Sequence, residues 1–150
     1  MMNRRLFRVA LLSTLVLALP AATTGQLRAD DKPAGEEPPP LAKQLIGTWV
    51  LAGTPEKVEE PPASGGRYKF FTGKHWCVTQ ADPDSGEVIY HHGGTYTLDG
   101  DTYEETILYS TANNAGLIKQ TFTFRIKVEG DTYTQIGVGN PYSEVWKRAK

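Results

Sequence analysis

The 150-residue chain carries a single cysteine, Cys77, so it can form no internal disulfide and its fold must hold by packing alone. It also lacks the signatures of common enzymes. There is no G-x-S-x-G, no H-E-x-x-H, no glycine-rich phosphate loop, and no pair of carboxylates at a readable catalytic spacing. No apolar run reaches the roughly 20 residues that a membrane-spanning helix needs. Basic clusters are scarce too: removal of residues 1–29 would take away Arg4, Arg5, Arg8 and Arg28 and move the formal net charge from −1 to −5. A mildly acidic chain of that kind excludes nucleic acid and anionic membrane surfaces as partners. No cofactor motif is present, and the oligomeric state is not legible.

What is present divides the chain into three. Arg4, Arg5 and Arg8 precede the apolar run Val9 to Leu19, which ends at Pro20, Ala21 and Ala22. This is the layout of a secretory signal peptide over residues 1–29, with cleavage expected between Ala21 and Ala29. No cysteine follows the run, which argues against a lipoprotein anchor, so the mature chain is expected to be exported, either periplasmic or secreted, without a stable membrane anchor. Residues 30–40 (DDKPAGEEPPP) are acidic and proline-rich with nothing to bury, and read as a disordered linker. A domain over residues 41–150 follows, opening on a short helical turn from Leu41 to Leu45.

From Gly47 onward the hydrophobic period is close to two, and no segment keeps a helical repeat for three turns. In the clearest stretch, Ile118, Gln120, Phe122, Phe124, Ile126 and Val128 share one face and Lys119, Thr121, Thr123, Arg125 and Lys127 the other. Strands are predicted near 47–53, 67–72, 75–81, 87–98, 102–109, 117–129, 132–137 and 142–148. Thr72-Gly73-Lys74, Asp99-Gly100-Asp101 and Glu129-Gly130-Asp131 are tight hairpin signals. They fall at one end of a meander, with the longer connections at the other. An eight-stranded antiparallel up-and-down barrel is the expected architecture, because closure removes both sheet edges.

Gly47-Thr48-Trp49 opens the first strand and Glu144-Val145-Trp146-Lys147-Arg148 closes the last. Together with His92-Gly93-Gly94-Thr95-Tyr96-Thr97-Leu98 and Tyr103-Glu104-Glu105-Thr106, they resemble the calycin superfamily, and within it small bacterial lipocalin-like domains of unassigned function. The resemblance covers about residues 44–149. It implies a G-x-W tryptophan packed near a basic residue at the barrel's end. Strand geometry separately puts Trp49 and Arg148 on neighbouring strands at the tight-turn end, where a guanidinium over an indole would act as a closing latch.

Glu105 shares parity with Tyr103, Ile107 and Tyr109 and is expected to face inward, where a carboxylate needs a partner. Gln120, Gln135, Tyr68, Tyr96, Trp76 and His92 are the candidates to join it around a small, largely apolar ligand in the barrel. The alternatives are a satisfied core network in a filled structural or protein-interaction barrel, exposure of Glu105 through a bulge, or an enzyme using Glu105 as a general base. An antiparallel register setting Cys77 opposite His91 would gather His75, Cys77 and His91 on one face. Trp76 and Val78 hold the more apolar parity, however, and no fourth ligand is evident, so no metal is expected. Gly93-Gly94 reads as a bulge.

Overall fold

A computed structural model describes residues 40–150, so the signal-peptide region and all of the predicted linker before Pro40 lie outside the described residues. A one-turn helix, α1 (Leu41–Leu45), leads into β1 (Gly47–Thr54), which folds back on the two-residue β2 (Lys57–Val58). The chain then meanders through β3 (Arg67–Phe71), β4 (His75–Ala81), β5 (Val88–Asp99), β6 (Thr102–Ser110), β7 (Thr121–Glu129), β8 (Thr132–Val138) and β9 (Glu144–Arg148). From β3 onward each strand pairs antiparallel with the next, and β1 pairs with β2, β3 and β9. Eight strands therefore close into an up-and-down barrel, and β2 is a short flap on the edge of β1. Among the described residues no helix is long and apolar enough to cross a membrane.

Two-residue periodicity aims one face of each strand inward, and the core follows from it. Trp49, Phe71, Trp76, Tyr103, Phe124, Tyr133 and Trp146 are all buried there. The hairpins at Gly100 and Gly130 place those glycines at φ 58° and 57°, a left-handed conformation that costs a side chain and costs glycine little.

At the tight-turn end, α1 covers the barrel mouth. Leu45 is fully buried, and its carbonyl accepts a 2.8 Å hydrogen bond from Trp49 Nε1. The Arg148 guanidinium lies 4.1 Å from the Trp49 ring centroid and donates to the carbonyls of Gln44 (2.9 Å) and Ile46 (3.3 Å). One side chain thus joins the last strand, the first strand and the helix. Stacking of this kind contributes about 0.5–2 kcal/mol.

Three local departures from regular alternation matter for what faces inward. Gly93 pairs with Tyr109 and Gly94 with Ile107, so Leu108 is a bulge and Tyr109, expected inward beside Glu105, is turned outward. The β4–β5 pairing sets Cys77 opposite Gly93 and His91 opposite Thr79. A second bulge near Ile89 and a turn organised by the Asp82 carboxylate, which accepts from the Ser85 and Asp84 backbone, shift this register from the expected one. Trp76 and Val78 point into the core, and among the described residues no cluster of His, Cys, Asp and Glu could hold a metal ion. Finally, the predicted strand over 117–129 starts only at Thr121. Residues 112–117 form a 3₁₀ turn, and Lys119 takes φ 72°, which interrupts the alternation just before Phe122.

The bulge yields a test. A Cβ at Gly94 would lie 1.9 Å from the Thr106 carbonyl oxygen, a backbone atom that cannot step aside, whereas one at Gly116 would meet nothing within 4 Å. Gly94→Ala should therefore lower unfolding free energy by about 3 kcal/mol or prevent folding, with Gly116→Ala near neutral. Urea denaturation of both variants checks this, and equal effects would contradict the bulge geometry.

Candidate functional site

The inward face of β3 carries an unexpected series: Arg67, Lys69 and Phe71. Lys69 is only 2% exposed. Its ammonium lies 2.8 Å from Glu105 Oε2 and donates a 2.9 Å hydrogen bond to Gln135 Oε1. The Tyr103 hydroxyl donates to the same Glu105 oxygen (2.9 Å), and the Tyr133 hydroxyl donates to Gln135 Oε1 (2.7 Å). Gln135 Nε2 passes the chain on to Glu144 Oε2 at 2.8 Å. The Lys69 ammonium and the Glu105 oxygen facing it are thus each met twice, as a low-dielectric interior demands.

The ammonium is also boxed by aromatic rings. Its Nζ lies 4.9 Å from the ring centroid of Trp76 and 5.3–5.8 Å from those of Tyr103, Phe71, Phe124 and Trp146. Negative ring faces around a cation offset part of its lost hydration. Burial, with the Glu105 charge adding to it, pushes the Tyr103 and Tyr133 phenols well above their ordinary range, so both serve as donors. The middle of the barrel is accordingly filled by its own side chains.

Above this layer, toward the longer loops, a cavity of about 70 Å³ remains. Lys69, Glu105, Gln135 and Trp76 form its floor, and Arg67, Tyr90, His92, Phe122, Tyr142 and Glu144 line it nearer the mouth. His92 is 7% exposed, sits edge-on to Trp76 and Tyr90, and has a buried Nδ1 with no hydrogen-bond partner. Burial, then the nearby charges of Lys69, Arg67 and His91, hold its pKa down to about 4. Burial pushes the Glu144 carboxyl above its usual range, against the pull of Lys69. The Trp146 indole N–H is turned toward that carboxyl without completing a hydrogen bond.

Of the residues expected from sequence, the structure brings four together around the cavity: Trp76, His92, Glu105 and Gln135. It does not bring in the other three. Tyr68 lies on the outward face of β3, tilted against Phe70, because Lys69 and Phe71 take the inward positions. Tyr96 packs edge-on to Phe71 and beside Tyr103 at the tight-turn end, below the cavity. Gln120 is exposed, its amide donating to the Gly116 carbonyl (2.6 Å), since the break at Lys119 removes it from the inward face. Sequence reasoning missed Lys69, Arg67 and Glu144. In Arg67-Tyr68-Lys69-Phe70-Phe71 both parities hold aromatics, so hydropathy could not choose between them. The signal that could have chosen is Glu105 itself: an inward carboxylate calls for an inward cation.

No family model matches the chain, and no curated protein matches it. Among solved structures, a lipocalin-like protein from Bacteroides uniformis superposes with a TM-score of 0.51 at 14% identity, over 71% of this chain and 99% of that one. An uncharacterized protein from Bacteroides eggerthii aligns at 15% identity over 70% of this chain and 99% of that one, with a TM-score of 0.48. The closed antiparallel barrel and the first of these likenesses define the class by fold: this is a lipocalin-like barrel. That likeness extends to the fold alone.

The buried pair predicts a specific mutational pattern. Lys69→Met leaves the Glu105 carboxylate uncompensated and Glu105→Gln leaves the Lys69 ammonium so, each costing about 3–5 kcal/mol. The double variant Lys69→Met/Glu105→Gln should be more stable than either single one. Additive losses in denaturant titrations would contradict the pair.

His92 predicts a pH effect. Its folded pKa of about 4 lies below the ordinary 6.5, so the unfolded chain binds the proton first as pH falls. Its contribution is complete above pH 6.5 and is lost on acidification toward pH 4, by up to about 3 kcal/mol. His92→Gln should flatten the wild-type stability profile across that window. Parallel profiles would contradict the buried neutral imidazole.

Proposed function

We propose that this chain is an exported binding protein that holds a small molecule in the loop-end cavity of its barrel. The observation that carries this reading is His92, a cavity-lining residue whose buried Nδ1 has no hydrogen-bond partner among the described residues. Buried polar atoms are seldom left unmade, because each costs about 1–3 kcal/mol. A guest or an ordered water that completes Nδ1 would recover that cost.

The cavity's size narrows the kind of guest. At about 70 Å³ it is well below the roughly 300–1,000 Å³ of drug-sized ligand sites. It is about half the roughly 150 Å³ of an engineered cavity that takes benzene. The largely apolar ligand suggested by sequence gives way here to a guest with a small polar head, because Arg67, Lys69, Glu105, Gln135 and Glu144 contribute to the lining. Glu105 is engaged by both Lys69 and Tyr103, which favours binding over general-base chemistry as its role. A filled barrel acting as a structural or interaction module is the second reading, and the aromatic box around Lys69 favours it for the lower half of the barrel.

Native mass spectrometry of the protein purified from its own host tests the binding reading. A bound small molecule that is lost in His92→Phe is the expected result. A wild-type mass that equals the bare mature chain in every preparation would favour the filled barrel. The same spectrum reads the N-terminus: export predicts a mature chain beginning between Ala22 and Asp30.

A further inference from the structure

Arg67 forms no salt bridge among the described residues. It lies half-buried at the cavity mouth; its Nε donates to Gln80 Oε1 at 3.1 Å, and its guanidinium carbon stacks 4.3 Å from the Tyr90 ring centroid. These contacts fix its plane and use one of its five N–H groups. Among the described residues no carboxylate lies within 4.0 Å of it, and its terminal nitrogens make no hydrogen bond there. Lys69 follows it on the same inward face of β3, so two cations approach the cavity from one side.

Of these two cations only Lys69 is paired with a carboxylate of the lining. Glu105 is consumed by Lys69 and Tyr103. Glu144 is the other carboxyl, held by Gln135 Nε2; burial disfavours its charged form more strongly than the nearby charges of Lys69 and Arg67 favour it, and it makes no ion pair with Arg67. His92 lines the same cavity and stays neutral at physiological pH, so its imidazole can meet a guest oxygen as a donor in one tautomer. A pre-stacked guanidinium with free terminal N–H groups suits a planar oxyanion, because two parallel N–H···O bonds form without further ordering. An ammonium guest would instead have to approach both Arg67 and Lys69.

We propose that the cavity takes the carboxylate head of a small organic monoanion, held by the terminal nitrogens of Arg67 and by His92, with its short apolar tail against Phe122 and Tyr142. These two rings meet edge-on, with centroids 5.2 Å apart. The enclosed volume admits a head and a few carbons, leaving the rest of a longer tail at the open mouth. The assignment rests on the binding reading above and adds to it the charge class of the guest and the residue that selects it.

Three probes of equal length and different charge separate the possibilities: butyrate, butyramide and butylammonium, each titrated at pH 7 into ¹⁵N-labelled protein. Butyrate should give saturable shifts in the Arg67 guanidinium, His92 imidazole and Trp146 indole signals, with affinity at least about tenfold above butyramide and no response to butylammonium. Arg67→Gln should abolish the preference for butyrate over butyramide, and Arg67→Lys, which keeps the charge and loses the fork, should restore part of it. Butyramide or butylammonium binding as tightly as butyrate would overturn the anion assignment and leave the cavity standing as a binding site. No response to any of the three would overturn both. The wild-type comparison decides the matter even where a variant fails to fold.

Discussion

A lysine ammonium inside an aromatic box, tied to a glutamate on the far side of the barrel, is the constraint around which the interior is arranged. Lys69 on β3 and Glu105 on β6 are brought together only because the sheet closes, and each requires the other once water is gone. Such a pair is weak evidence for stability in itself, since an apolar pair of similar volume can serve as well. Its stronger effect is on geometry. Tyr103, Tyr133 and Gln135 must point where they do to satisfy it, and three of the five rings around Lys69 belong to strands β4, β7 and β9. A slip of one residue in any of those strands would turn a partner outward.

That constraint divides the barrel into two halves with different roles. Below the pair, Trp49, Phe71, Tyr103 and Tyr133 pack ring against ring, and α1 with Arg148 seals the end. Above it, the protein leaves polar atoms incompletely met and a small space beside them. The contrast within one chain is informative. Where the interior is finished, the hydrogen bonds close into a network; where it is open, His92 Nδ1 has no hydrogen bond and Arg67 no salt bridge among the described residues. Fold likeness to lipocalin-like proteins cannot distinguish these halves, whereas the polar accounting does.

Much of the architecture was legible in the chain. Alternating strands, glycine turns at one end and the Trp49 and Arg148 positions all follow from local rules that hold wherever one face of a strand is buried. Glu105 and Gln135 could be placed inward by parity because their strands alternate cleanly. The rest depended on features that local rules do not carry. The 3₁₀ turn and the left-handed Lys119 removed Gln120 from the interior, and the bulge at Leu108 removed Tyr109. In β3 both faces carry aromatics, Tyr68 and Phe70 on one and Phe71 on the other, so Tyr68 and Lys69 exchanged places relative to a hydropathy reading. Each of these errors is one of phase. Tyr68 and Tyr109 lie on the expected strands, Gln120 just before one that starts at Thr121, and the side each faces was decided by a break or a charge elsewhere.

The state of the Lys69 ammonium is the most direct test of this account. In lysine-selective ¹H–¹⁵N spectra at pH 7, a buried, hydrogen-bonded ammonium exchanges its protons slowly and gives an observable Nζ signal. Its neighbouring Hε protons should be shifted upfield by the surrounding rings. The account predicts one such resonance, lost in Lys69→Met, with through-space contacts to the Trp76 and Trp146 rings. A Lys69 side chain whose signal exchanges as fast as Lys127 or Lys150, with unshifted Hε protons, would contradict the buried pair.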